Sequence, residues 1–160
     1  FFHSHTVQEI FKFKRRSAVA DAPSSAKMLV REGDIIVSTT RPNRGAITPI
    51  SKEQDGFIAS TGFAILRDLK NSKVLKNYLF VALRTSLSLR QMEQRTTGGN
   101  YPAITTEDLR KIKIVVPELK TQEKIVAGVK TIYNKARNLR QEAEIVIVEA
   151  QKQTEQMIFA

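Results

Sequence analysis

A mixed α/β (α+β) domain over residues 1–118, followed by one long coiled-coil helix over residues 119–160, is the architecture this sequence predicts. Three observations lead to it. Short apolar runs bounded by Gly, Pro, Asn and Ser recur through the first part of the chain, the pattern of strands and turns. Residues 74–94 break that pattern with apolar residues at helical spacing. From Ile125 onward the apolar residues recur every 3.5 positions, the period of a helix that packs on another helix.

The elements follow in order. TVQEIFKFKRRSAVA, residues 6–20, suits either a short strand with alternating faces or a helix end. DAPSSAK, residues 21–27, is a loop by its proline and serines. MLVREGDIIVSTT reads as a strand, a turn at Glu32, Gly33 and Asp34, and a second strand through Ile35, Ile36 and Val37. GFIASTGFAILRD, residues 56–68, supplies one or two further strands. In residues 74–94, Leu75, Tyr78, Leu79, Ala82, Leu83 and Leu87 share one helix face. A polar loop, RTTGGNYP, follows at residues 95–102. Thr105 or Thr106 then caps a short turn holding Glu107 and Asp108, and KIKIVVP is a strand that Pro117 stops.

The last segment carries the clearest periodicity. Ile125, Val129, Ile132, Ala136, Leu139, Ala143, Val146, Ala150, Gln153 and Met157 alternate spacings of four and three. All but Gln153 are apolar, and the alanines favour close helix approach. From Thr121 to Phe159 such a helix is roughly 60 Å long at 1.5 Å per residue. Its seam calls for a partner helix, from another part of this protein or from a second chain. The competing reading is one helix lying along its own domain, because 3.5 and 3.6 periods diverge slowly.

Composition narrows the function. The chain is 41% hydrophobic and 26% charged, as folded proteins are, and it has no cysteine, which excludes disulfides and thiolate metal sites. No apolar run approaches the roughly 18 residues of a membrane span, and no secretory signal is visible. A start at Phe1 rather than Met is expected of a fragment or of a chain lacking its beginning. Net charge is +10. Residues 1–120 hold 20 Lys/Arg against 11 Asp/Glu, and residues 121–160 hold 6 against 5. The basic excess thus belongs to the globular part, which suggests a polyanionic partner or, more plainly, a generically basic surface.

Catalytic chemistry finds little support. The two histidines, His3 and His5, are expected at a frayed start without a third ligand, so no metal site is assigned. Glu107 and Asp108 suit a helix N-terminus better than acid–base work. TTGGN lacks the lysine and spacing of a phosphate-binding loop, and no GxSxG elbow is present. No catalytic residue is assigned, and the chain reads as a binding protein.

Two loops share one composition. The first holds Thr39, Thr40, Arg41, Pro42, Asn43 and Arg44; the second holds Arg95, Thr96, Thr97, Gly98, Gly99, Asn100 and Tyr101. Arginine bonds guanine bidentately and asparagine bonds adenine likewise. Threonine hydroxyls and glycine amides suit phosphate oxygens. Two ordinary solvated turns would draw on the same residue types, so composition leaves both readings open.

Order along the chain adds a resemblance. REGDIIVSTTRPNRG, then FIASTGFAILR, YLFVALRT, TTGGNYPAITTEDLRKIKIVVPELKTQEKIV and a heptad helix resemble, over residues 28–145, a target recognition domain with its following helix. The family is that of type I restriction-modification specificity subunits. The motif I-x-x-x-x-L-x-x-I-x-I matches Ile104, Leu109, Ile112 and Ile114, and a Pro-Leu-Gln-Ile signature matches Pro117, Leu119, Gln122 and Ile125. Glu118 and Thr121 depart from the residues common there; they touch the helix start and not the reading loops.

The resemblance implies a non-catalytic, cytoplasmic subunit of a bacterial defence system. Two recognition domains joined by two long antiparallel helices would each read half of a split site in double-stranded DNA. Partner methylation subunits would modify adenine with S-adenosylmethionine, and restriction subunits would use ATP and Mg2+, so this chain itself would need no cofactor and no membrane. Its second half would be a homodimer mate or a missing part of the same chain, and a symmetric dimer would read a palindromic split site. Arg41, Asn43, Arg44, Arg95, Asn100 and Tyr101 would read or grip DNA, with Lys52, Arg15 and Arg16 as weaker phosphate contacts. Rival readings are a basic coiled-coil protein binding acidic partners without sequence preference, and an enzyme using the histidine pair for metal.

Overall fold

The computed structural model describes residues 3–7, 11–13 and 26–159. The chain divides into two compact units, residues 1–123 and residues 124–160. Strands β1 (His3–Thr6), β2 (Phe11–Phe13), β3 (Ala26–Leu29), β4 (Ile35–Ser38), β5 (Ile47–Pro49), β6 (Ile58–Ser60), β7 (Phe63–Leu69) and β8 (Lys113–Val116) all pair antiparallel. They form one four-stranded sheet in the order β2-β7-β4-β5 and two ribbons, β1-β8 and β3-β6.

β4 is the strand that supports the first loop. Ile35 and Val37 are buried and pair with Leu66 and Ala64 of β7. Ile36 lies opposite Ile65, on the other face of the sheet. On that face Met28, Val30, Ile50 and Ile65 form a cluster with Ile36, Ala59 and Phe63. Both faces of the central pair are therefore covered, which explains why "DIIV" and "FAIL" read as continuous apolar runs.

The expected strand–turn–strand over residues 28–40 forms, but β3 and β4 are not partners: β3 pairs with β6. The turn is held by Asp34, whose side chain is 1% exposed. Its carboxylate accepts from the Arg31 N–H at 2.8 Å and from Arg67 Nε and Nη2 at 2.8 and 2.6 Å. Arg67 Nη2 also donates to the Leu29 carbonyl at 3.1 Å, and Lys76 Nζ donates to the Arg67 carbonyl at 2.7 Å. The carboxylate holds the Arg67 pKa above its ordinary value, while burial lowers that of Lys76.

Two expectations are corrected. Residues 74–94 form two helices, α1 (Lys76–Leu83) and α2 (Ser86–Glu93), and not one. Thr85 is extended between them; its hydroxyl caps α2 by accepting from the Ser88 N–H and donates to the Ala82 carbonyl at 2.7 Å. The Ser88 hydroxyl donates to that carbonyl too, at 2.8 Å. Leu87, which its spacing placed on the buried face, is 56% exposed, and α2 buries Ser88 and Met92 instead. Because Leu87 continues the apolar spacing in sequence, periodicity alone does not see the break. The expected frayed start is also absent at His3 and His5. Their backbone pairs with β8, His3 with Val116 and His5 with Ile114, because β8 offers a strand edge there.

α3 (Thr106–Arg110) is capped by Thr105, whose hydroxyl oxygen accepts from the Asp108 N–H at 3.0 Å. Beneath β8, the Tyr78 hydroxyl donates to the Val115 carbonyl at 2.6 Å, and burial raises its pKa from the ordinary 10.0. A folded pKa above the unfolded one makes this stability fully present below pH 10 and lost as pH rises through the folded value. Tyr78→Phe is expected to cost about 1 kcal/mol at neutral pH and to flatten the alkaline decline, as urea titrations at pH 8 and pH 11 would show.

The second unit is the continuation of α4 (Leu119–Phe159), a helix of 41 residues. Ile132 is 69% exposed, and Leu139 and Val146 are exposed as well. The exposed apolar surface also includes Ile145, Ile147 and Val148, wider than the heptad seam alone.

Candidate nucleic-acid interface

The two loops, more than 50 residues apart in sequence, hang on one extended segment. Thr40 and Thr97 both bridge to Ala103. Thr97 and Ala103 exchange N–H···O bonds at 2.9 Å in each direction, and Ile104 donates its N–H to the Thr39 carbonyl at 2.8 Å. The hydroxyl of Thr39 donates to the Gly62 carbonyl at 2.9 Å, so it serves the fold.

Arg41 is the joint between the loops. Its N–H donates to the Pro102 carbonyl at 2.8 Å, its guanidinium Nη2 to the Asn100 carbonyl at 3.2 Å, and its guanidinium carbon lies 5.2 Å from the centre of the Tyr101 ring. Its backbone is left-handed, with φ 48° and ψ 54°, the only positive φ outside glycine among the described residues. That conformation costs roughly 1–2 kcal/mol in an L-residue and persists because the contacts around it over-determine it. Pro42, Asn43 and Arg44 then form a 3₁₀ turn, closed by Gly45 at φ 66°. A Cβ on Gly45 would also stand 3.5 Å from the Leu89 side chain on α2. The first loop is thus pressed against α2 and held at both ends.

In the second loop, Gly98 has φ 96°, and an added Cβ would lie 3.1 Å from the Tyr101 carbonyl oxygen, so this position calls for glycine. Gly99 has open space around it. Tyr101 is 74% exposed, with the Arg41 guanidinium over it as a preformed stacking surface. Arg95 Nη1 donates to the Gln91 carbonyl at 3.1 Å, which fixes it at the end of α2. Arg44, Asn43, Thr97 and Asn100 are exposed.

The sequence-predicted residues fall into separate groups. Thr40, Arg41, Asn43, Arg44, Arg95, Thr97, Gly99, Asn100 and Tyr101 lie on the two loops that the Ala103 segment joins. Lys52 does not join them: it opens a second 3₁₀ turn (Lys52–Gln54) just past the end of β5, at the Asp34 end of β4. Arg15 and Arg16 lie outside the described residues. Sequence reasoning placed residues 86–93 in a helix but missed the part α2 plays in the site, where the Glu93 carboxylate accepts a hydrogen bond from Asn43 Nδ2 at 3.1 Å. No local pattern announces a contact across 50 residues.

Among the described residues no group of three His, Cys, Asp or Glu is placed to hold a metal ion, and no helix is long and apolar enough to cross a membrane. Residues 10–147 match the family model of the type I restriction modification DNA specificity domain. The HindI type I restriction enzyme specificity subunit of Haemophilus influenzae is 30% identical over 112 residues, which are 69% of this chain and 24% of that protein. The HsdS subunit of Thermoanaerobacter tengcongensis superposes with a TM-score of 0.71 at 26% identity, over 98% of this chain and 47% of that one. A chain from the structure of the type I R-M system that addresses complex assembly and conformational transition gives 0.73 at 26%, over 96% and 46%. The chain spans about a quarter of the curated relative and half or less of the structural ones. With the match running through both loops and into α4, the chain belongs to the family of type I restriction-modification DNA specificity domains, whose part is recognition and not catalysis.

Proposed function

We propose that this chain reads one half of a split double-stranded DNA site and directs adenine methylation and restriction to it. The observation that carries the reading is the joint at Arg41, which makes one polar, cationic surface of two loops built from base- and phosphate-binding residue types. Methylation and restriction subunits are its partners, acting on cytoplasmic DNA. S-adenosylmethionine, ATP and Mg2+ belong to those partners. The seam of α4 (Ile125, Val129, Ile132, Ala136, Leu139, Ala143, Val146 and Ala150), exposed except at the half-buried Val129, pairs with a second helix, in a homodimer or in a further part of a longer chain.

The test is selection from a random duplex library, at about physiological salt, by the chain assembled with its methylation subunit. A motif in two fixed parts supports the proposal; salt-sensitive binding with no motif overturns it. Arg41→Ala is expected to weaken binding by about 1–3 kcal/mol. Because Arg41 also holds Asn100 and Tyr101, the loss is expected to loosen positions read by the second loop as well. A uniform loss across sequences with a smaller salt slope would instead mark Arg41 as a phosphate contact. Leu139→Lys is expected to weaken helix association at least tenfold, measured by sedimentation equilibrium, because a seam lysine must leave the interface or bury its charge.

A further inference from the structure

Glu93 stands in a doubly unfavourable place. It is the last residue of α2, where a negative charge opposes the helix dipole. It also sits against the loop that, on the reading above, approaches an anionic duplex. Its hydrogen bond to Asn43 gives it a task there.

We propose that Glu93 is a specificity-positioning residue that sets Asn43 to read adenine. A carboxylate only accepts hydrogen bonds, so it takes the amide nitrogen of Asn43 and settles which way the amide faces. One N–H and the carbonyl oxygen Oδ1 remain. That donor–acceptor edge matches N7 and the N6 amino group of adenine in the major groove. Asn43 is exposed, and its backbone is fixed in the 3₁₀ turn between Arg41 and Gly45, so the amide's rotation is the freedom left to restrain. Without the carboxylate the amide turns over freely and presents its edge only part of the time. When DNA displaces water from the loop, an acceptor-only group needs a donor more, and the Asn43–Glu93 bond strengthens.

The inference rests on the proposed DNA reading, and the experiment separates the two. Duplex selection is run with the unaltered complex and with Glu93→Ala, Glu93→Gln, Asn43→Ala and the double alanine variant, each checked for an unchanged melting temperature. The expected result is that Glu93→Ala lowers the preference for adenine at one position about tenfold, while binding to duplexes without that adenine stays equal or tightens, because a negative charge has left the surface. Glu93→Gln is expected to lose less, since its carbonyl still accepts. Asn43→Ala is expected to lose the same position, and the double variant no more than that. An unaltered motif in Glu93→Ala, a lost position that is not adenine, or an equal loss of affinity on all sequences overturns the inference. No motif from the unaltered complex overturns the DNA reading itself, and this inference with it.

Discussion

Gln122→Ala is expected to destabilise the domain by about 2–4 kcal/mol, since it strands buried backbone groups worth roughly 1–3 kcal/mol each. Gln122 is 0% exposed and lies in the first turn of α4. Its Nε2 donates to the carbonyls of Lys73 and Pro117 at 2.9 and 2.7 Å, and its Oε1 accepts from the Leu75 N–H at 2.8 Å. One side chain thus satisfies three main-chain groups from two segments, the lead-in to α1 and the end of β8. No residue lacking both a donor and an acceptor repeats this. Gln122→Met keeps the volume and isolates the polar term; Gln122→Glu turns an oxygen toward two carbonyls and is expected to be at least as harmful. Urea denaturation with an unchanged m-value would check the magnitude. A loss below 0.5 kcal/mol for the alanine and methionine variants would mean that water replaces the amide.

Asp34→Ala is expected to cost about 3 kcal/mol, because breaking a buried pair leaves its partner's charge uncompensated. Asp34 receives three hydrogen bonds, two from one guanidinium. Without it, Arg67 keeps only the Leu29 carbonyl among these partners, and the turn at Gly33 loses its tie to Arg31. Arg67 keeps slight exposure, which places the cost at the lower end of the range for buried pairs. Asp34→Asn retains an acceptor and is expected to cost less. Replacing Asp34 and Arg67 together with Leu and Met is expected to recover most of the loss, since an apolar pair of similar volume avoids stranding either charge. Thermal melts of the single and double variants form the cycle that measures this.

These two residues also show what the sequence made legible. Gln122 stands out there only through its place in the Pro-Leu-Gln-Ile signature, and Asp34 as a turn residue before an apolar run; neither announces a partner. The α4 heptads and the strands β4, β7 and β8 were legible because their signals are local and periodic. Pairings were not: β3 joins β6 across the intervening β4 and β5, and β1 joins β8 across nearly the whole domain. The helix break was hidden by apolar spacing that continued through it, although Thr85 and Ser88 carried a cap signal. In the site, loop composition was legible and loop assembly was not. Arg41 meets Asn100 across 59 positions, so its role as a joint exists only in the fold.

The placement of the Asp34–Arg67 pair has one more consequence. It anchors β4 at the end remote from Arg41, a strand's length of roughly 13 Å away at 3.4 Å per residue. The Asp34–Arg67 pair is therefore distant enough from the two loops for its mutational effects and theirs to add, and within the loops Arg41 alone both holds the fold and is offered to the outside. Asn43, Arg44, Gly99 and Asn100 lie outside the anchoring set, while Arg41, Gly45 and Gly98 lie within it. A library randomised at the first four would yield mostly folded proteins, so the variants that fail to bind in it would report altered recognition and not collapse. Such a scaffold can change what it recognises one loop residue at a time, with each intermediate still standing.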